Sequence, residues 1–421
     1  MAEKISWQEA QTLVLQTVKT TGAESVSLED SFGRVLAENL TAAENVPAFD
    51  RSPYDGYAFR AEDTEKASPE NPVTLRIIEE IPAGSISHIP VTAGAAVRLM
   101  TGAPIPEGAD VICKFEDTVF TETDVMLQKP YKSGDNIIRA GEDVRAGEIL
   151  AETGARIDTG LLGLLAAQNR TRPHVYRVPV VGILSTGSEL VEPGTEPGPG
   201  QILNTNRFTI GSEVRRCGCR AEYFGIAGDD PEKIAEKIRK ILTTCDALVM
   251  TGGVSVGKYD YTMQAMELAG AEILFNGVKI KPGMACTYGA CGGKLLAGLS
   301  GNPASSLTNF HVITAPALRR LSGFKSVSHP AQHSIAGDKE QGSFLPEKVL
   351  LTVQNRFSKK SPQTRFLRGT LDLSGGKACI RLSEDQGNII LRSMAGSNVM
   401  AIVPAGSGPV EAGTVLEGFL I

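Results

Sequence analysis

Three glycines, at 252, 253 and 257, follow an apolar run in DALVMTGGVSVGKYD, residues 246–260. Backbone N–H groups in such a loop can approach an anion with no Cβ in the way, so the segment reads as a phosphate cradle at a strand end. Gly252, Gly253, Ser255 and Gly257 are its candidate ligand contacts. Gly252, Gly257 and Lys258 match the P-loop pattern, but Tyr259 stands where a small Mg-binding hydroxyl is required, which argues against a P-loop NTPase. A plain strand-to-helix turn would explain the glycines but leave Asp260, at the loop exit, without a role.

Two more apolar runs end in acids. ILSTGSEL puts Glu189 after a glycine turn, and FGIAGDDP puts Asp229 and Asp230 ahead of a helix. In an open parallel sheet the loops at the carboxyl ends of the strands converge on one crevice, so Glu189, Asp229 and Asp260 are expected around one ligand. Clustered carboxylates suit Mg2+. Asp230, followed by proline, reads as a helix cap, while Asp229 reads either as a turn residue or as a ligand. Lys281 in IKPG, and the loop GLSGNPASS with Pro303 opening a helix, add a cation and a helix N-terminus at the same edge. Together they describe an anion pocket.

Other chemistries lack their residues. None of the 5 histidines lies beside a candidate nucleophile, and the STGS string at 185–188 lacks the glycine pattern of a nucleophile elbow, so a Ser-His-Asp hydrolase is not expected. No GxGxxG follows a strand, which leaves a nicotinamide or flavin enzyme unsupported. With 48 acids against 42 bases and a net charge of −6, the chain has no basic excess to displace counterions from nucleic acid. The 7 cysteines are scattered, form no CxxC and have no histidine at zinc-site spacing, so they read as reduced, buried thiols. No apolar run reaches the roughly 18 residues of a membrane span, and MAEKISWQEA lacks the layout of a signal peptide. A cytoplasmic protein away from membranes is expected.

These residues need several domains to position them. At 421 residues, roughly 150 per domain gives about three. Ser6-Trp7-Gln8-Glu9 reads as a capping box, with Ala10, Leu13, Val14 and Val18 following at helical spacing. From 46 to about 143 short apolar runs are broken by Pro and Gly, as in a β-rich unit, with alternation over 119–127. A second helix is expected over 159–169. From Val178 strands and helices alternate, giving a parallel α/β domain in which Ile234, Ile238, Ile241 and Leu242 stripe one helix. After about 325 the text is Gly-rich and alternating, as in a terminal β-domain. The expected architecture is multidomain α/β plus β: a parallel three-layer α/β domain at 178–325, an inserted β-rich domain at 46–144, a discontinuous helical and extended linker domain at 1–45 and 145–177, and a β-barrel-like domain at 326–421.

Taken together, FGRVLAE, DRSPYDGYA, MTGAPIPEGAD, NIIRAGEDV, STGSEL, NTNR, GDDP, TGGVSVGKYDY, IKPG, GNPASS and LRGTL resemble, in order and over nearly the whole chain, the molybdopterin molybdenumtransferase family of the MoeA and gephyrin E-domain type. The resemblance implies a homodimer with a site shared between subunits. It implies an enzyme of molybdenum cofactor biosynthesis that takes adenylylated molybdopterin and molybdate and releases AMP with Mg2+. A molybdopterin adenylyltransferase would be the substrate donor. Carried over by motif, Asp55, Asp143, Glu189, Asp229 and Lys281 are the expected catalytic residues. Thr101, Pro303 and Arg368 join the glycine loop as ligand contacts, and Glu189, Asp229 and Asp260 would hold the metal.

The sequence also departs from the family pattern. Ser188 stands where an acid is frequent, Gly277 where there is often a base, Met284 where KPGK ends in lysine, Ser300 where LPGNP has its first proline, and Asn388 where a serine is common. Two cations are missing, and Lys258 or Lys279 could stand in. On this reading Met284→Lys should tighten oxyanion binding, unless Met284 is packed in a core. The alternatives are a non-catalytic pterin-binding or scaffold dimer, a paralogue preferring tungstate, or the adenylylating activity. The DGYA and MTGAP segment and the C-terminal domain point away from the last.

Overall fold

In a computed structural model of the protein the described residues are 4–254, 261–325, 344–345 and 348–421. They form two compact units, one of residues 39–152 and 160–171 and one of the remainder.

In the larger unit a six-stranded sheet runs Arg220–Ala227, Val180–Thr186, Ala247–Thr251, Lys294–Leu299, Cys286–Cys291, Glu272–Asn276. The first four strands are parallel and the fifth, Cys286–Cys291, runs antiparallel to both its neighbours, so the expected parallel sheet is mixed. The cause is local. Gly292 and Gly293 sit at φ 57° and 77°, the left-handed pair that a two-residue hairpin requires, and they fold Cys286–Cys291 directly back on Lys294–Leu299.

Every residue of Val180–Thr186 and Ala247–Thr251 is buried, because helices cover both faces. Ala10 and Val14 of Trp7–Thr17, Ile210 and Val214 of Asn206–Arg216, and Val312 pack on one side. Ile234, Ile238 and Ile241 of Pro231–Leu242, with Met266 of Tyr261–Leu268, pack on the other. The first helix begins where the capping box places it, with the Ser6 hydroxyl accepting the Glu9 N–H at 3.1 Å. Pro303–Asn309 and Ala315–Leu321 are joined by a π turn, Phe310–Thr314. Pro316 has no N–H for the Val312 carbonyl, and the Gln11 side chain of the first helix donates to that carbonyl instead.

The C-terminal strands close a five-stranded barrel. Thr364–Asp372 pairs with both Cys379–Leu382 and Val399–Val403, while Lys348–Val353 and Val415–Leu420 complete the ring. Leu351, Leu367, Ile380 and Val399 fill it. The short strand Ile280–Lys281 adds beside Thr364 and Arg365 and so ties Lys281 to the barrel.

The smaller unit is built on a second six-stranded sheet, in the order Val111–Lys114, Gly56–Phe59, Ala95–Leu99, Val73–Ile81, Asp124–Leu127, Val119–Phe120. Tyr57, Phe59, Leu75 and Val125 lie in its core. The alternation over 119–127 is not one strand, because the Thr121 N–H turns back to the Asp124 carbonyl at 2.8 Å and makes a hairpin.

All seven cysteines are free. Burial pushes the thiols of Cys217 and Cys219 up to about 12, which keeps them protonated and inert at neutral pH. Among the described residues no helix is long and apolar enough to cross a membrane.

Candidate active site

Three parallel strands of the larger unit end side by side, and backbone contacts knit their loops. The Gly252 N–H donates to the carbonyl of Leu299 at 3.0 Å, and Thr262, at the start of the next helix, donates its hydroxyl to the Gly252 carbonyl at 3.0 Å. Gly252 has φ 98°, and a Cβ there would lie 2.1 Å from the carbonyl oxygen of Thr186. Only glycine fits. At Gly253, φ 62°, a Cβ would meet the hydroxyls of Thr262 and Thr186 at 2.8 and 2.9 Å.

From Thr186 the chain turns through Gly187, whose N–H donates to Ala227 at 3.0 Å, and so reaches the loop that carries Asp229. There one oxygen of Asp229 accepts both the N–H of Ser188, at 3.2 Å, and the Ser188 hydroxyl. The carboxylate of Glu189, the next residue, folds over Gly187, where a Cβ would lie 2.4 Å from its Oε2. Both acids are exposed. Ser188, a departure from the family pattern, therefore has a positive reason. A hydroxyl orients Asp229, where a second carboxylate would repel it.

Asp230 caps Pro231–Leu242 with bonds from the N–H groups of Glu232 and Lys233, as expected, and these hold its carboxyl below the usual range. The NTNR string braces the site from behind. Asn204 bonds Ser185 and Tyr223, Arg207 pairs with Glu192 at 2.7 Å, and Asn206 donates to the Gly301 carbonyl at 2.9 Å.

Beyond the third strand end lies a cavity of ≈ 330 Å3 lined by Lys281, Met284, Ser300, Asn302, Ser305, Gln363 and Asn388, among others. Among the described residues its lining has one cation and no acid. Pro303 opens the helix at its wall, and the Ala304 N–H there donates to the carbonyl of Asn388 at 3.2 Å. The strand ends thus bring together Glu189, Asp229, Gly252 and Gly253, with Lys281 and Pro303 at the neighbouring cavity.

The remaining expected residues lie elsewhere. Asp55 and Thr101 are in the smaller unit and touch. One Asp55 oxygen accepts the Thr101 N–H at 2.6 Å and its hydroxyl at 2.7 Å, the hydroxyl bond first among the causes that hold the carboxyl below its usual range. Asp143 is exposed in the same unit, its N–H bonded to Val46 at 3.0 Å. Arg368, an expected ligand contact, has a fully buried side chain, one of whose terminal nitrogens has no hydrogen-bond partner among the described residues. It shares the Phe366 side of its strand, beneath the 386–393 segment, where it donates to Ser393 at 3.1 Å and to the Gly387 carbonyl at 3.3 Å. Burial pulls its pKa down to about 10. Ser255, Gly257, Lys258 and Asp260 lie outside the described residues.

Glu189 and Asp229 are hard oxygen donors on adjacent loops, a set that suits Mg2+. Among the described residues no three His, Cys, Asp or Glu side chains gather closely enough to hold a metal, and the third expected ligand, Asp260, is not among them.

Comparison with known proteins decides the family. Residues 5–168 match the MoeA N-terminal region, domains I and II; 182–320 match a probable molybdopterin binding domain; and 351–420 match the MoeA C-terminal region, domain IV. The chain belongs to the MoeA family. Molybdopterin molybdenumtransferases of Bacillus subtilis and Staphylococcus epidermidis are 36% identical over 402 residues and 35% over 397, each match covering 94% of this chain and 90% of the relative. The molybdopterin biosynthesis moeA protein of Pyrococcus horikoshii superposes with a TM-score of 0.83 at 28% identity over 100% of both chains. As a MoeA-family member the chain is a transferase.

Sequence reasoning missed the threonines that pin the glycine loop and the Gln363 side of the Lys281 cavity. Thr186 lies inside STGSEL and Thr262 directly follows TGGVSVGKYDY, so both could have been suspected, whereas Gln363 enters only through barrel closure.

Proposed function

We propose that this MoeA-family transferase takes adenylylated molybdopterin and molybdate, releases AMP, and leaves molybdenum on the pterin dithiolene. The observation that carries this reading is the pairing at one edge of an exposed carboxylate set, Glu189 with Asp229 oriented by Ser188, and a neighbouring cavity whose described lining holds Lys281 and no acid.

Phosphoanhydride cleavage is mostly positioning and charge neutralisation. Gly252 and Gly253 let the loop close on Thr186 at the strand ends, Lys281 draws the oxyanion into the cavity, and the Ser188 bonds fix the Asp229 carboxylate through one of its oxygens. Glu189 and Asp229, with Asp260, would hold Mg2+, which when bound supplies charge neutralisation for the phosphate oxygens. The Asp55–Thr101 pair and Asp143 would serve the same ligand from the other subunit of a homodimer. A molybdopterin adenylyltransferase would supply the substrate, in the cytoplasm.

A non-catalytic pterin-binding dimer is the second reading, favoured by the neutral residues at Gly277 and Met284. Elemental analysis separates the two. The purified protein, incubated with adenylylated molybdopterin, molybdate or tungstate and Mg2+, should yield pterin-bound metal and AMP in equal amounts. Bound pterin with neither product would establish the scaffold.

A further inference from the structure

We propose that Lys4 supplies a second positive charge to the oxyanion held in the Lys281 cavity. This rests on the anion-pocket reading above and adds to it a residue from the far end of the chain.

The segment ahead of the first helix is held in place as an added strand. Ile5 bridges Val278, and the Lys279 N–H donates to the Ile5 carbonyl at 2.8 Å. The Lys4 side chain then runs across Gly277, where a Cβ would lie 3.0 Å from its Cγ and 3.3 Å from its Cε. Gly277, at φ 88°, leaves the channel in which that stem lies. The ammonium ends 3.3 Å from Sδ of Met284, a residue of the cavity wall, and Gln363 of the same wall donates to that sulfur at 3.7 Å.

A thioether is a weak acceptor, and an ammonium has three donors to place. Among the described residues no carboxylate pairs with Lys4, which is half-buried. Among those residues its charge is therefore not spent on a protein anion, and one thioether separates it from a cavity whose described lining holds Lys281, five neutral polar side chains and no acid. Against a dianion, Lys281 alone leaves one negative charge uncompensated in a partly desolvated site, where Coulomb attraction is screened less than in water. The two neutral positions, 277 and 284, thus have a joint reading. Gly277 makes room for the cation and Met284 receives it.

Isothermal calorimetry on the full-length protein at low salt, with molybdate, tungstate and phosphate titrated separately, tests this. The anion bound most tightly identifies the source, and the variants are then compared with it. Lys281→Gln and Lys4→Gln should each weaken binding about tenfold, equivalent to about 1.4 kcal/mol, while Lys4→Arg stays near wild type. Met284→Lys in the Lys4→Gln background should restore affinity, because it returns an ammonium to the same place. In the wild-type background the same change sets two ammoniums side by side and should give no gain. Thermal melting of Lys4→Gln should match wild type, which excludes unfolding as the cause. Binding by Lys4→Gln equal to wild type, with Lys281→Gln weakened, would overturn the role of Lys4 and leave the anion pocket standing. Failure of every oxyanion to bind the wild-type protein would overturn the pocket reading and this proposal with it.

Discussion

A single oxygen of Asp55 is the acceptor for both the backbone N–H and the hydroxyl of Thr101, at 2.6 and 2.7 Å. Gly56 pairs with Leu99 in antiparallel strands, so the residues flanking that pair, distant in sequence, meet at one sheet end. The two bonds favour the ionised carboxylate. Its pKa is lower folded than unfolded, so the stability it adds is fully present above the ordinary value of about 3.9 and is lost as pH falls through the lower folded value. Thr101→Val removes the hydroxyl bond and should move the Asp55 titration, followed by NMR, back toward the ordinary carboxylate range. An unmoved titration would mean that the hydroxyl is not the cause.

Gly252→Ala puts a Cβ 2.1 Å from the Thr186 carbonyl oxygen at φ 98°, whereas at Gly413, φ 88°, a Cβ meets nothing within 4 Å. Both changes carry the left-handed strain of roughly 1–2 kcal/mol, but only the first carries the clash. Gly252→Ala should lower the melting temperature clearly more than Gly413→Ala and should abolish turnover with it.

Asp229 and Asp230 are neighbours with separate duties. Asp230→Ala removes the cap of Pro231–Leu242 and should lower the melting temperature while leaving most of the turnover. Asp229→Asn should do the reverse, since that side chain is exposed and caps nothing. Equal effects of the two changes on both readouts would refute the division.

Much of this was legible in the sequence because it is local. Helix caps at Ser6 and Asp230, the Ile234, Ile238 and Ile241 stripe, and strand runs ending in Gly or acid follow from a few adjacent residues. Pairing across the chain was less so. Gly292-Gly293 does spell a hairpin, but its flanks, ACGGKLL, read equally well as part of a β-α-β unit. Arg368 in LRGTL reads as a ligand contact, and its burial comes only with barrel closure, which lays the 386–393 segment over it. Lys4 reaches its place only through the Ile5–Val278 bridge, and residue order carries no sign of that.

Arg368 is accordingly expected to matter for the barrel. Arg368→Ala removes the bonds to Ser393 and to the Gly387 carbonyl and opens a void, and should lower the melting temperature by roughly 5–10 °C. Oxyanion affinity of the folded protein should stay unchanged. Weakened binding without a change in melting would return Arg368 to the list of ligand contacts.

If the Asp55 and Asp229 sides serve one ligand from different subunits, two inactive variants can complement each other. Asp55→Asn and Asp229→Asn, mixed in equal amounts and allowed to exchange subunits, form one heterodimer for every two dimers, and each heterodimer has one intact site. About a quarter of wild-type activity should return. No recovery after exchange would place the site within one subunit.

AMP release from adenylylated molybdopterin tests the central claim most directly, measured with molybdate and Mg2+ for wild type and Asp229→Asn, each with and without a chelator. The wild-type protein should release one AMP per pterin, with release falling at least a hundredfold on chelation or in the variant, in the range by which removal of a charge-stabilising group slows such reactions. Undiminished release by Asp229→Asn in Mg2+, or by the wild-type protein under chelation, would contradict the carboxylate site.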